Sequence, residues 1–172
     1  MTDFYNAPIP TPEDIALAIE NIKHPRWSYA ITKIFGESAF IHAAKKLSFD
    51  TTIIRYQNAY GPDMGFRHVI PHLVQRFIFH KKNKPFIIYG PEQTRSFCYI
   101  SDAVSGTIKA MNKKKANNEI YHLGNNEEIT IEKLTKEVGS LMGYQGKYLE
   151  GPCYPDSVQR RCPNIFKSKM FS

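Results

Sequence analysis

The feature that most constrains this chain is the run Thr51-Thr52-Ile53-Ile54-Arg55-Tyr56, β-branched, nearly continuous in apolar character, and set between two segments of helical period. Such a run is written for burial on both faces, the situation of a strand inside a parallel sheet. Before it, Ile31, Ile34, Phe35, Ser38, Ala39 and His42 recur at three and four, which predicts a helix from Ser28 to about Lys46 with that stripe buried. After the Asn58 to Pro62 loop, Val69, Ile70, Leu73, Val74, Phe77 and Ile78 predict a second helix. Helices alternating with apolar strands make an α/β protein.

The rest of the chain continues the alternation. Residues 86–89 and 95–99 read as short strands about Gly90-Pro91, and a helix follows that is capped at Ser101 or Asp102, with Asp102 read as the cap. Residues 119–123 form a further strand ending at Gly124-Asn125; Thr130 then caps a helix that runs to Met142, with Gly143 in the stop position. The flanks are less regular. Pro8, Pro10, Pro12 and Pro25 predict an irregular first stretch, within which Thr11 caps a short helix to Ile22, and the chain is expected to be irregular after Tyr148. Any linker falls within residues 146–163. At 172 residues the chain is long enough for one domain with a real core.

A net charge of +7 favours an anionic partner, either a nucleic acid or a small phosphorylated ligand. Lys81, Lys82 and Lys84 follow one helical pattern and Lys113, Lys114 and Lys115 another; cations at helix ends account for both runs without a binding patch. Cys98, Cys153 and Cys162 are odd in number and widely spaced, so reduced structural thiols are expected, not a disulfide framework or a zinc site. His68 and His72 share a helical face, but no third ligand stands near them and no metal is expected. With neither a signal peptide nor an apolar run of about 18 residues, a cytoplasmic protein with no membrane association is expected.

Tyr29 and Lys33 lie four apart, one turn along the same helical face. A tyrosine with its ordinary pKa of about 10 is a poor base at neutral pH, and a nearby ammonium stabilises the phenolate. The spacing is equally that of an ordinary exposed pair. The wider stretch Pro25-Arg26-Trp27-Ser28-Tyr29-Ala30-Ile31-Thr32-Lys33-Ile34-Phe35-Gly36-Glu37 closely resembles the catalytic helix of NAD-dependent nucleotide-sugar epimerases and dehydratases, which are extended short-chain dehydrogenases. Four more segments follow in that family's order. They are Arg55-Tyr56-Gln57-Asn58-Ala59-Tyr60-Gly61-Pro62, Arg95-Ser96-Phe97-Cys98-Tyr99-Ile100-Ser101-Asp102, His122-Leu123-Gly124-Asn125, and Arg160 through Lys169 with Asn164 where aspartate is usual.

The resemblance implies a partial doubly wound, Rossmann-like parallel sheet with a C-terminal nucleotide-sugar-binding subdomain. It also implies residues 1–62 for the catalytic helix and sheet strand, and 63–172 mainly for the substrate subdomain. Tyr29 would take the sugar hydroxyl proton as hydride passes to NAD, Lys33 would hold the nicotinamide ribose, and both would bind cofactor. Asn58 would meet the nucleotide sugar, and Arg95 and Arg161 its pyrophosphate, where a planar fork of donors suits phosphate oxygens. Thr2 takes the family's serine or threonine position only after a one-residue shift, since ungapped alignment puts Met1 there. No glycine precedes Gly36, so the family's Gly-x-x-Gly-x-x-Gly turn and the N-terminal half of the cofactor site are expected to be missing. The implied partners are a nucleoside-diphosphate sugar and either a second copy or a separate N-terminal half, with no nucleic acid. The implied activity is epimerisation, dehydration or decarboxylation by transient oxidation, with the isolated chain inactive or a non-catalytic binding remnant.

Overall fold

The computed structural model describes residues 7–81, 83–154 and 157–171. Helix α1 (Pro25–Leu47) leads into strand β1 (Thr52–Tyr56), and a short strand β2 (Ala59–Tyr60) precedes helix α2 (Val69–Ile78). Strands β3 (Phe86–Tyr89), β4 (Thr94–Ser96) and β5 (Cys98–Tyr99) come next, followed by helix α3 (Ile100–Asn112). Strands β6 (Glu119–Leu123) and β7 (Glu128–Thr130) then precede helix α4 (Ile131–Leu141), and strands β8 (Tyr148–Gly151) and β9 (Arg160–Arg161) lie near the end.

β1 and β6 pair in parallel, in the register Ile54 to Tyr121 and Arg55 to His122. Alternation along β1 then sorts its neighbours. Ile54 packs toward Ala110, Ala116 and Tyr121, and the Tyr56 hydroxyl lies 2.7 Å from Thr107 Oγ1, so this face meets α3. Arg55 points the other way, to Glu37 of α1. Helices on both faces of a parallel pair are the doubly wound arrangement in small. β1 is nevertheless less covered than its sequence predicts: Thr52 to Ile54 are half-buried, and Tyr56 is exposed. The reason is topological, because among the described residues β6 is its only pairing partner.

A second core joins α2, β3 and α4. Leu73, Phe77, Phe86, Ile88, Ile131, Leu134 and Val138 are buried together, and Phe77 stacks on Phe86 with centroids 3.9 Å apart. The expected cap holds at α4, where Thr130 Oγ1 accepts from Lys133 N at 3.0 Å and Gly143 ends the helix at φ +72°.

Several local expectations give way to tertiary contacts. No helix forms from Thr11, because its N–H donates to Cys162 O, its carbonyl accepts from Asn164 N, and its hydroxyl turns back to Pro8 O. The cap of α3 is Tyr99, without a side-chain bond, while Asp102 sits inside the first turn and interacts with the helix dipole instead. The strand expected over 95–99 breaks at Phe97 into β4 and β5, which pair with different partners. After Tyr148 the chain is not irregular, since β8 pairs with β3 and β9 with β4. On α1 the expected stripe is half right: Ile31 and Ile34 are half-buried, but Phe35, Ser38, Ala39 and His42 are exposed, and Trp27, Ala30 and Ala44 are buried. Apolar residues surround that helix, so its period alone selects no face.

Candidate functional site

A cavity of about 760 Å³ opens between α1, β1, the loop entering α2, and the β4–β9 pair, and its wall includes Tyr29, Lys33, Asn58, Arg95 and Arg161. Five of the six residues singled out in the sequence therefore share one space; Thr2 lies outside the described residues.

Each arrives for a local reason. Tyr29 and Lys33 project from adjacent turns of α1, with Lys33 Nζ 5.1 Å from the centre of the Tyr29 ring. Tyr29 is 59% exposed, and among the described residues neither its hydroxyl nor the Lys33 ammonium is spent on a hydrogen bond. Two donors left open in this way suit a cofactor ribose and a sugar hydroxyl, so the nicotinamide end of NAD fits the residues present. Asn58 has a left-handed φ of +42°, which asparagine tolerates better than most residues. Its Nδ2 donates to Ser96 O at 2.8 Å, which ties the end of β1 to the Arg95 segment. Gly61 is required where this loop crosses α3, since a Cβ there would sit 2.4 Å from Ile100 Cγ2.

Arg95 and Arg161 stand opposite each other in the parallel β4–β9 register, 66 positions apart in sequence. Period-2 alternation puts them on one face, and Thr94 and Arg160 on the other. On that second face Glu128 is held by Arg160 Nε at 2.8 Å and by Thr94 Oγ1 at 2.7 Å. The Arg160 hydrogen bonds lower the Glu128 carboxyl from 4.5 to about 2, against a smaller upward push from burial. A depressed folded pKa contributes stability above the unfolded value and loses it as pH falls through the folded one. The expected result is a loss of stability between about pH 4.5 and about pH 2 that Glu128→Gln reduces, measured as urea midpoints at pH 5 and pH 2.

Sequence reading passed over the Glu37–Arg55 pair on the same cavity wall. Arg55 Nε and Nη2 donate to the two Glu37 oxygens at 2.8 and 2.6 Å, and Nη1 donates to Glu13 O at 2.9 Å. The side chains are only 5% and 15% exposed. The signal was present, because an arginine inside an apolar strand demands a buried partner. Next to Arg55 in register, fully buried His122 has its imidazole pKa lowered by burial, with Glu13 pulling the other way. Arg67 and His68 also line the cavity. The three cysteines are free, and no group of His, Cys, Asp or Glu among the described residues could hold a metal ion.

Residues 2–124 match the NAD dependent epimerase/dehydratase family. The chain belongs to that family. Among its relatives, a UDP-N-acetyl-alpha-D-glucosaminuronate decarboxylase of Bacillus cytotoxicus is 34% identical over 154 residues, covering 84% of this chain and 46% of the relative. The dTDP-D-glucose 4,6-dehydratase of Homo sapiens is 30% identical over 151 residues, covering 87% of this chain and 41% of the relative. In fold, the chain resembles the UDP-glucose 4-epimerase of Thermotoga maritima, crystallised with UDP-glucose, at a TM-score of 0.78 and 24% identity, covering 94% of this chain and 50% of that one. The chain thus spans about half the length of the relatives it matches. No helix among the described residues is long and apolar enough to cross a membrane.

Proposed function

We propose that these residues form the substrate side and the Tyr-Lys pair of an NAD-dependent enzyme that transiently oxidises a nucleoside-diphosphate sugar, as an epimerase, dehydratase or decarboxylase of the cytoplasm. The observation that carries the reading is one cavity lined by Tyr29, Lys33, Asn58, Arg95 and Arg161, contributed by four separate parts of the chain. In this reading Arg95 and Arg161 grip the pyrophosphate by charge-assisted hydrogen bonds, and Asn58 orients the sugar. The Lys33 ammonium, which also binds the ribose, stabilises Tyr29 as the phenolate, and that oxygen then receives the sugar hydroxyl proton and becomes the neutral phenol. NAD, when bound, supplies the hydride acceptor. The substrate class is also that named for the two relatives, both of which act on nucleoside-diphosphate sugars.

Residues 1–62 would then carry the catalytic helix and 63–172 mainly the substrate subdomain. Turnover calls for a glycine-rich cofactor half, supplied by further polypeptide or by a partner chain. The edge of β1 that no strand among the described residues pairs, and the exposed Phe35, Phe40 and Leu47 of α1, are consistent with such a partner or with a second copy.

The testing experiment is a titration of the 172-residue chain with UDP, dTDP and NAD. UDP or dTDP is expected to bind with Kd about 0.1–1 mM, weakened by loops that few neighbours order. NAD is expected not to bind measurably, for want of the glycine-rich turn. No nucleotide binding at 10 mM, or micromolar NAD binding, would falsify the reading.

A further inference from the structure

We infer that Glu37 and Arg55 are positioning residues: their buried, two-bond pair sets the rotation and axial position of α1, so that Tyr29 and Lys33 face the cavity. The inference rests on the roles proposed above for Tyr29 and Lys33.

Ala30, Glu37 and Ala44 are spaced by seven, so they lie nearly on one line along α1. Ala30 and Ala44 are buried, and the Glu37 side chain between them is 15% exposed. Two methyl groups permit close approach to the sheet, but they are too small and symmetric to select one rotation of the helix. A planar guanidinium meeting both oxygens of a carboxylate is directional, and it selects one. Arg55 is itself immobilised. It is held in the β1–β6 register opposite His122, and its third donor is occupied by Glu13 O.

Lys33 is one turn from Glu37 and Tyr29 two turns, all on the cavity wall. Slipping α1 by one residue means a 1.5 Å rise and a turn of about 100°. That movement breaks both hydrogen bonds of the fork, strands two charges away from water, and turns Tyr29 out of the cavity. The pair therefore converts the rigidity of the sheet into the aim of a phenol whose own surroundings leave it exposed.

The test uses the 172-residue chain labelled with 13C in its tyrosine rings, with UDP-glucose as the probe. Two quantities are read: the Kd, which depends on Arg95 and Arg161 of β4 and β9, and the NOE from the Tyr29 ring to the hexose, assigned by its absence in Tyr29→Phe. Glu37→Gln and Arg55→Lys are expected to keep the Kd within about twofold, because the anchoring arginines lie on other elements, while losing the NOE. Glu37→Asp retains the charge but withdraws it by one methylene; it guards against a failure to fold and is expected to weaken the NOE. An unchanged NOE in variants that bind UDP-glucose like the parent overturns the positioning role alone. A parent chain that binds UDP-glucose without any Tyr29 NOE overturns the assignment of Tyr29, and this inference with it.

Discussion

Arg95→Ala is expected to abolish measurable UDP binding by this chain, while Lys114→Ala leaves it unchanged. Arg95 lines the cavity and stands in register with Arg161, so a pyrophosphate between them accepts from two planar forks at once. Backbone carbonyls help to hold the Arg95 fork in place, with Nη1 donating to Thr94 O at 2.7 Å and to Gln159 O at 3.4 Å. A charge-assisted hydrogen bond is worth roughly 1.5–3 kcal/mol where water is largely excluded. Starting from a Kd of about 0.1–1 mM, or roughly −5.5 to −4 kcal/mol, the loss of both bonds of one fork, roughly 3–6 kcal/mol, carries the Kd beyond about 10 mM. Lys114 lies in the short 3-10 turn after α3 and does not line the cavity. The measurement is a ligand-observed NMR titration of parent and both variants. Equal loss in both, or binding that survives Arg95→Ala, would mean diffuse attraction to a chain of charge +7 in place of a built site.

Phe86→Ala is expected to destabilise the fold by about 3–5 kcal/mol, the usual cost of an aromatic deleted from a core. Phe86 is 1% exposed and stacks on Phe77, its ring is approached edge-on by Tyr144 and Tyr148, and the Arg76 guanidinium carbon lies 4.5 Å from its centre. Five side chains thus lose their common neighbour, counting His80 at 5.3 Å, and they come from α2, from the residues just after it, and from the segment between α4 and the end of β8. Against a typical total of about 5–15 kcal/mol, this is a large share. In urea, with m of about 1–3 kcal/mol/M, the midpoint should fall by roughly 1–5 M, and a shift below about 0.3 M would contradict the packing described. Because β3 leads into the Gly90 turn and then β4, nucleotide binding should fall with the fold, unlike the folded loss expected of Arg95→Ala.

Local chemistry in the sequence determined the α/β alternation, the bounds of α2, β3 and β6, and the Thr130 cap with its Gly143 stop. In those places period, capping hydroxyl and left-handed glycine act within a few residues of one another. The family motifs likewise picked out Tyr29, Lys33, Asn58, Arg95 and Arg161, although nothing in their spacing says that they meet. Only the tertiary structure decided that, because the β4–β9 register aligns two arginines from distant segments, and the Asn58 amide ties a third segment beside them. It also decided which side of α1 is buried. An all-round apolar helix has no preferred face by period, and Glu37 finds Arg55 only once β1 has packed against it. Likewise Thr11 makes no helix cap, since its N–H and carbonyl are engaged by Cys162 and Asn164, residues some 150 positions away that no local rule can see. Short-range interactions are written in the sequence as pattern, whereas strand register and the partners of buried charges depend on which distant segments come together.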